Sequence, residues 1–494
     1  MRQAHRPLKD LYRIPLAMLT DQYQLTMAYV HWLMGTGDRE AVFHLYFRKT
    51  PFEGGYAVAS GLTHQIDYVS NYRFTPRNLQ TLSRLVGNDG KPLFHPGFLE
   101  YLGKLRLKVD IDAMPEGSVV FANEPMMRVK GPIIQGHLLE TPLLTLSNFP
   151  TLVATKASRM VYAANGKPCF EYGMRRAQGI DGALMASWAS FVGGFAGTSN
   201  LQAMELYGIP SGGTMAHALV MSFEEEMKAF EAYADALPNN CVFLVDTYNS
   251  IEGIKKAIKV GLKLRARGYE MNGIRLDSGD LADLSQKARQ MLDEAGFPKA
   301  RVFCSNDLDE KIIQSLNAQG ARICVYGIGT KVVTCFDQPA LGAVYKLGAI
   351  RDGAGWRFPI KVSEQVAKTT TPGIQQVRRF IDRNGRFVGD MIYNELVPPA
   401  QNLMVDPYND TRESKMIEGT HYAVARDLLV PIARRGKIVY QSPTLPEIQA
   451  YARAQLASLP EGVRRFENPA EFPVRMEHGL FDLRRELIVK ARAA

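Results

Sequence analysis

Apolar positions recur at helical spacing along residues 17–35, A-M-L-T-D-Q-Y-Q-L-T-M-A-Y-V-H-W-L-M-G. The spacing predicts a helix that Thr20 or Asp21 caps, with Asp21 also favourable to the helix dipole, and that Gly35 ends. Over 41–49, A-V-F-H-L-Y-F-R-K, the period shifts to two and predicts a strand, followed by a loop at Gly54-Gly55. Helical patterns then run to about Leu105. Leu107 to Val129 reads as further strands, turned at Pro115-Glu116-Gly117 and Asn123-Glu124-Pro125. Residues 1–135 are therefore expected to form an α+β domain.

From Gly136 the pattern changes. A long helical stretch, His137 to Asn165, precedes a series of short apolar runs, each closed by glycine, a hydroxyl or an acid. They end near Glu171-Tyr172-Gly173, Val192-Gly193-Gly194, Thr214, Asp246-Thr247, Asp277-Ser278-Gly279-Asp280, Ser305-Asn306-Asp307 and Gly327-Ile328-Gly329-Thr330, with Gly342 to Leu347 as an eighth candidate. Polar residues placed repeatedly at strand C-termini are what a (β/α) barrel produces when those ends line one mouth. Residues 136–350 are expected to be that barrel, with the seven positions facing one pocket. After Ile350 strands and turns return: Trp356 to Val362, a polar stretch Lys368 to Gly373, then Val377 to Asp382 and Arg386 to Tyr393 joined by a hairpin signal at Asn384-Gly385. Residues 351–494 form a third, mixed region that ends in a charged amphipathic helix from about Pro473.

Composition narrows the partners. The chain has 494 residues, too many for one simple core, and a formal charge of +9. Its Lys and Arg are scattered, which points to small phosphorylated substrates and away from nucleic acid. Five cysteines without a C-x-x-C pair predict buried free thiols in a reducing compartment. No H-x-x-x-H pair suggests a helical zinc site, and no run of about 18 apolar residues suggests a membrane span. Met1 to Asp10 lacks the apolar centre of a signal peptide, so a cytoplasmic location is expected.

Four constellations carry candidate chemistry at the expected barrel mouth. In Ser211-Gly212-Gly213-Thr214 small residues lead into a helix whose first turn holds His217, a candidate acid, base or phosphate acceptor. Gly327, Gly329 and Thr330 follow an apolar run and suit a phosphate, although an ordinary βα turn has the same look. Alternation sends Arg275 and Asp277 to one side of a strand. The guanidinium suits a carboxylate or phosphate, and Asp277 or Asp280 suits Mg2+ or ribose hydroxyls; the plainer alternative is an internal salt bridge. Arg175 and Arg176 point to different sides, so one is expected to face an anion. Together these suggest transfer chemistry on a phosphorylated sugar with an acidic second substrate.

L-T-D-Q-Y-Q-L-T-M at 19–27, F-E-Y-G-M-R-R-A-Q-G at 170–179, G-T-M-A-H at 213–217, I-R-L-D-S-G-D-L at 274–281, S-N-D-L-D-E at 305–310 and G-I-G-T-K-V-V-T at 327–334 stand in this order along the chain. In them the sequence resembles the nicotinate phosphoribosyltransferase family. The resemblance implies an irregular α/β barrel beside an α/β sandwich domain, which residues 351–494 complete, in a homodimer with shared active sites. It implies that nicotinate is joined to 5-phosphoribosyl 1-diphosphate (PRPP) with coupled ATP hydrolysis and Mg2+, giving nicotinate mononucleotide. By the same resemblance ATP phosphorylates His217, Tyr23 of a second subunit stacks on the pyridine ring, Thr214 and Arg275 contact nicotinate, and Thr330 sits at the sugar phosphate. The alternatives are nicotinamide or quinolinate as the ring substrate, or a phosphate-binding barrel without catalysis.

Overall fold

The structure is a computed structural model that describes residues 7–362, 369–399, 401–407, 415–416 and 422–493. Met1 to Arg6 of the amino-terminal stretch and Lys368 of the polar stretch lie outside the described residues. The chain divides into two units, Met1–Leu152 with Ala340–Ala494, and Val153–Pro339.

In the first unit, seven antiparallel strands follow the order Gly355–Arg357, Ala343–Asp352, Glu40–Phe47, Met127–Pro132, Asp110–Ala113, Val430–Arg434 and Lys437–Ile438. The Glu40–Phe47 strand is buried from Ala41 onward, as a central strand covered on both faces must be. The predicted first helix spans Gln22–Leu33; Gln24 Oε1 accepts from the Asp21 backbone N–H at 3.1 Å, and Gly35 takes φ +66° after its end. A second sheet includes the predicted hairpin, Gln375–Ile381 with Phe387–Asn394, turned at Gly385.

The second unit holds six parallel strands in the order Gly197–Thr198, Cys169–Glu171, Val325–Ile328, Arg301–Cys304, Gly273–Leu276 and Val242–Leu244. Helices follow them, including Ser250–Ala266, Leu281–Glu294 and Glu310–Ala318. Phe230, Phe243, Trp188 and Phe195 are fully buried among them. One helix packs unusually close to the sheet: a Cβ on Gly253 would lie 2.0 Å from the Val245 carbonyl oxygen, so glycine is required there.

Four expectations need correction. The sheet is an open row among the described residues, not a closed ring, because residues 209–221 supply only a single bridge from Ser211 to Thr198 before the helix His217–Met221 begins. Val192-Gly193-Gly194 closes a helix, Gly179–Val192, whose small residues and serines are buried along a length too great for a strand. Gly342 to Leu347 belongs to the ten-residue strand Ala343–Asp352 of the first unit, where Tyr345 pairs with Leu45 and its hydroxyl donates to the Gly136 carbonyl at 3.1 Å. After Pro473 the chain first makes a strand, Val474–Glu477, since alternation buries Met476 against the sheet; the amphipathic helix is His478–Ala493.

Candidate active site

The C-terminal ends of the parallel strands converge on Arg275. It lies on the strand Gly273–Leu276, and strand alternation brings Asp277 to the same side. Arg275 Nε donates to Ser305 Oγ at 2.8 Å and Nη1 to Thr214 Oγ1 at 3.0 Å and the Met215 carbonyl at 3.3 Å. Nη2 donates to Asp277 Oδ1 at 2.9 Å. A guanidinium has five N–H groups, so this arrangement leaves one, on Nη2, for a ligand. Ser305 also donates to Asp277 Oδ1 and so bridges the pair.

Burial pushes the Asp277 carboxyl up, but the Ser305 hydroxyl, the charge and hydrogen bond of Arg275 and the nearby His217 outweigh it, and the group stays below its ordinary value. It is therefore an anion at neutral pH. Behind it, Asp246 Oδ2 accepts from the Asp277 backbone N–H at 2.8 Å and from Ser278 Oγ at 2.6 Å. The other oxygen, Oδ1, is buried without a hydrogen-bond partner among the described residues.

His217 opens the helix His217–Met221, as its pattern predicts. Its Nδ1 lies 3.1 Å from Thr247 Oγ1, and its Nε2 lies 3.8 Å from Asp246 Oδ1 and 3.7 Å from Asp277 Oδ2. The ring is 36% exposed, so a reactant can reach it.

An open pocket of about 450 Å³ is lined by Tyr172, Arg175, Thr214, Met215 and Arg275. The Tyr172 ring lies 6.0 Å from the Arg275 guanidinium and packs over Gly327, where a Cβ would come within 2.6 Å of the ring. Arg175 and Arg176 follow on the turn Met174–Arg176. Both are exposed, and neither guanidinium is in an ion pair among the described residues. The turn is held from below by Glu171, which is buried and accepts from the Gly173 N–H, from Ser187 Oγ at 2.9 Å and from Thr198 Oγ1 at 2.5 Å.

The remaining sequence candidates are less closely joined to this cluster. Gly329 precedes the short helix Thr330–Val333, with Thr330 half-buried. Asp280 is exposed and caps the helix Leu281–Glu294, its Oδ1 accepting from the N–H groups of Ala282 and Asp283 at 3.1 Å each. Tyr23 lies in the first unit, 48% exposed. Tyr172, Asp246, Thr247 and Ser305 belong to the strand ends that the sequence places at one pocket, but nothing in the sequence gives any of them an individual role.

Whether this site suits Mg2+ is a question of oxygen donors. Among the described residues no group of three or more His, Cys, Asp and Glu is arranged to hold a metal by itself. Asp246 Oδ1, an orphaned buried carboxylate oxygen, and Asp277 Oδ2 both approach the His217 ring. Two carboxylates completed by substrate phosphates are the donor set that Mg2+ prefers.

The chain matches the family models of the nicotinate phosphoribosyltransferase N-terminal domain at residues 18–148, the family proper at 168–357 and the C-terminal domain at 374–484. It is 42% identical to a nicotinate phosphoribosyltransferase of Bacillus subtilis (strain 168), over 93% of this chain and 92% of that protein. With one of Bos taurus it shares 34% identity over 94% and 95% of the two chains. The crystal structure of human nicotinic acid phosphoribosyltransferase superposes with a TM-score of 0.82 at 31% identity, covering 95% of this chain and 99% of that one. A nicotinate-nucleotide pyrophosphorylase from Pyrococcus furiosus, 20% identical with a TM-score of 0.69, shares the fold. With family models spanning most of its length and this geometry at its strand ends, the chain belongs to the nicotinate phosphoribosyltransferase family.

Proposed function

We propose that the protein joins nicotinate to PRPP, releasing diphosphate and forming nicotinate mononucleotide, with ATP hydrolysis coupled to the reaction. The observation that carries this reading is the Arg275 cluster beside His217, in a chain of this family.

The ring carboxylate takes the free Nη2–H of Arg275 and the Thr214 hydroxyl, which fixes the ring in the pocket beside Tyr172. The pyridine nitrogen then attacks the anomeric carbon. The bond from that carbon to the diphosphate oxygen breaks, and its electron pair leaves with diphosphate. The sugar passes through a cationic, oxocarbenium-like state, so the protein acts mainly by positioning the ring and excluding water. Arg175, which lines the pocket without an ion pair, suits a PRPP phosphate, with Arg176 as a second cation beyond it. Gly327, Gly329 and Thr330 suit the 5-phosphate. Asp246 and Asp277 would hold Mg2+, which neutralises phosphate charge when bound. Asp280 keeps its second oxygen for a ribose hydroxyl.

His217 is read as the residue that ATP phosphorylates. An imidazole nitrogen forms the N–P bond as the bond from the γ-phosphorus to its bridging oxygen breaks and ADP leaves. Hydrolysis of that phosphohistidine biases substrate binding toward the productive form. A homodimer would bring Tyr23 of one subunit to the ring site of the other; its half-exposed ring supports this. The grouping of both chain ends into one unit supports a sandwich domain built from 1–135 and 351–494. Five free thiols support a reducing, cytoplasmic setting.

The test is product formation from PRPP and Mg2+ with nicotinate, nicotinamide or quinolinate, each with and without ATP. Nicotinate mononucleotide made faster with ATP is the expected result. Product from nicotinamide alone overturns the role of Arg275, and no product from any ring points to a phosphate-binding protein without catalysis.

A further inference from the structure

We infer that Thr247 is the positioning residue for His217 in its exchange with ATP, an inference that rests on the proposed reading of His217. Three observations carry it.

The first is that the backbone does little to fix the ring. The helix that His217 opens has five residues, too few to be stable by itself, and the residue before it, Ala216, offers no side-chain cap. The second is that the carboxylates do not fix it either. Asp246 Oδ1 and Asp277 Oδ2 stand 3.8 and 3.7 Å from Nε2, beyond hydrogen-bonding range. They set the charge around the ring without holding its orientation. Among the described residues, the hydrogen bond of the imidazole is to Thr247 Oγ1, at 3.1 Å. Rotation about the Cβ–Cγ bond of histidine is broad and roughly two-fold, so this one contact decides which nitrogen faces the acids.

The third observation is that Thr247 is itself firmly placed. It follows the strand Val242–Leu244, where the Val245 N–H donates to the Arg275 carbonyl at 3.2 Å. On its other side Asn249 caps the helix Ser250–Ala266 by accepting from the Glu252 N–H at 3.1 Å. Gly253 then lets that helix come against the Val245 carbonyl. Three residues, Asp246 to Tyr248, between the paired Val245 and the capping Asn249 form a short mount for the hydroxyl. Removing the hydroxyl frees the ring to rotate about Cβ–Cγ, so that neither nitrogen is held in the place from which it meets ATP.

The experiment compares Thr247→Val, Thr247→Ser and His217→Ala in the full-length protein. Two quantities are read: the rate with ATP divided by the rate without it, and the yield of acid-labile phosphoenzyme from γ-labelled ATP. For Thr247→Val both should fall roughly fivefold to tenfold, the effect of losing one hydrogen bond. Thr247→Ser, which keeps the hydroxyl, should return both to within about twofold of the unaltered protein. If Thr247→Val lowers the rates with and without ATP alike, so that their ratio stays the same, Thr247 is only a structural residue and the inference is overturned. If the ratio and the phosphoenzyme both persist in His217→Ala, the reading of His217 itself fails. Loss in His217→Ala with full retention in Thr247→Val overturns the positioning role alone.

Discussion

Two arginine–aspartate pairs, one in each unit, show how the same chemistry serves different ends. In the first unit Arg379 is 1% exposed and Asp390 is fully buried. The guanidinium grips both oxygens of Asp390 through Nε and Nη2, gives Nη1 to the Val119 carbonyl at 3.0 Å and Gln455 Oε1 at 3.3 Å, and lies 4.4 Å from the Phe387 ring. In the second unit Arg275 donates four hydrogen bonds where Arg379 donates five, and it lines a pocket; behind Asp277, one oxygen of Asp246 has no hydrogen-bond partner among the described residues. A charged pair sealed in the core holds a fold together. One that lines a pocket can take a ligand as its further partner.

Replacing each arginine by alanine should separate the two most sharply. Arg379→Ala leaves Asp390 buried and unpaired, at a cost of about 3–5 kcal/mol, read as a large drop in the urea midpoint while the KM for nicotinate of the folded protein holds. Arg275→Ala should lower kcat/KM for nicotinate by roughly a hundredfold with a much smaller change in the midpoint. Equal losses of stability in the two variants would erase the distinction.

The next effect in size sharpens the structural side. Burial and then the charge of Asp390 raise the Glu124 carboxyl well above its ordinary value, against the opposing Arg379 and the Phe121 N–H. Folded, Glu124 keeps its proton; unfolded, it gives the proton up above about pH 4. The unfolded state then binds fewer protons, so this group's contribution falls as pH rises above about 4, by up to about 1.4 kcal/mol per pH unit. Glu124→Gln should flatten that decline in a series of urea melts. The same slope in both proteins would place its origin elsewhere.

The smallest effect concerns Asp280, which stands between the two categories. Asp280→Ala should cost about 1 kcal/mol through loss of the helix cap. Asp280→Ser, which can still cap, should recover that stability yet leave the KM for PRPP raised several-fold. Full recovery of both would make Asp280 a cap and nothing more.

The site was more legible than the frame around it. Arg275, Asp277 and Thr214 stand at or near the ends of apolar runs and His217 on the helix turn after one, and the structure brings all four together. Asp246, Thr247 and Ser305 stood at such ends too, but an acid or hydroxyl there is equally at home in a turn, and only the fold shows which one faces inward. The number of strands differs from the expected one for another reason. A buried run such as 183–192 has neither the alternation of a half-exposed strand nor the polar stripe of a surface helix, so periodicity is silent and length must decide. Gly342 to Leu347 misled because a strand's sheet is set by its partner, and that partner, Glu40–Phe47, lies far away along the chain.

That distance bears on how the protein is made. Ala41 pairs with Ile350, so roughly three hundred residues must leave the ribosome before the first long strand meets the second of its two neighbours, a separation that favours slow folding. At about 5–20 residues per second, the wait lasts on the order of 15–60 seconds. During it the second unit, encoded wholly within the gap, emerges complete, while the first exposes an apolar strand edge to whatever chaperone reaches it.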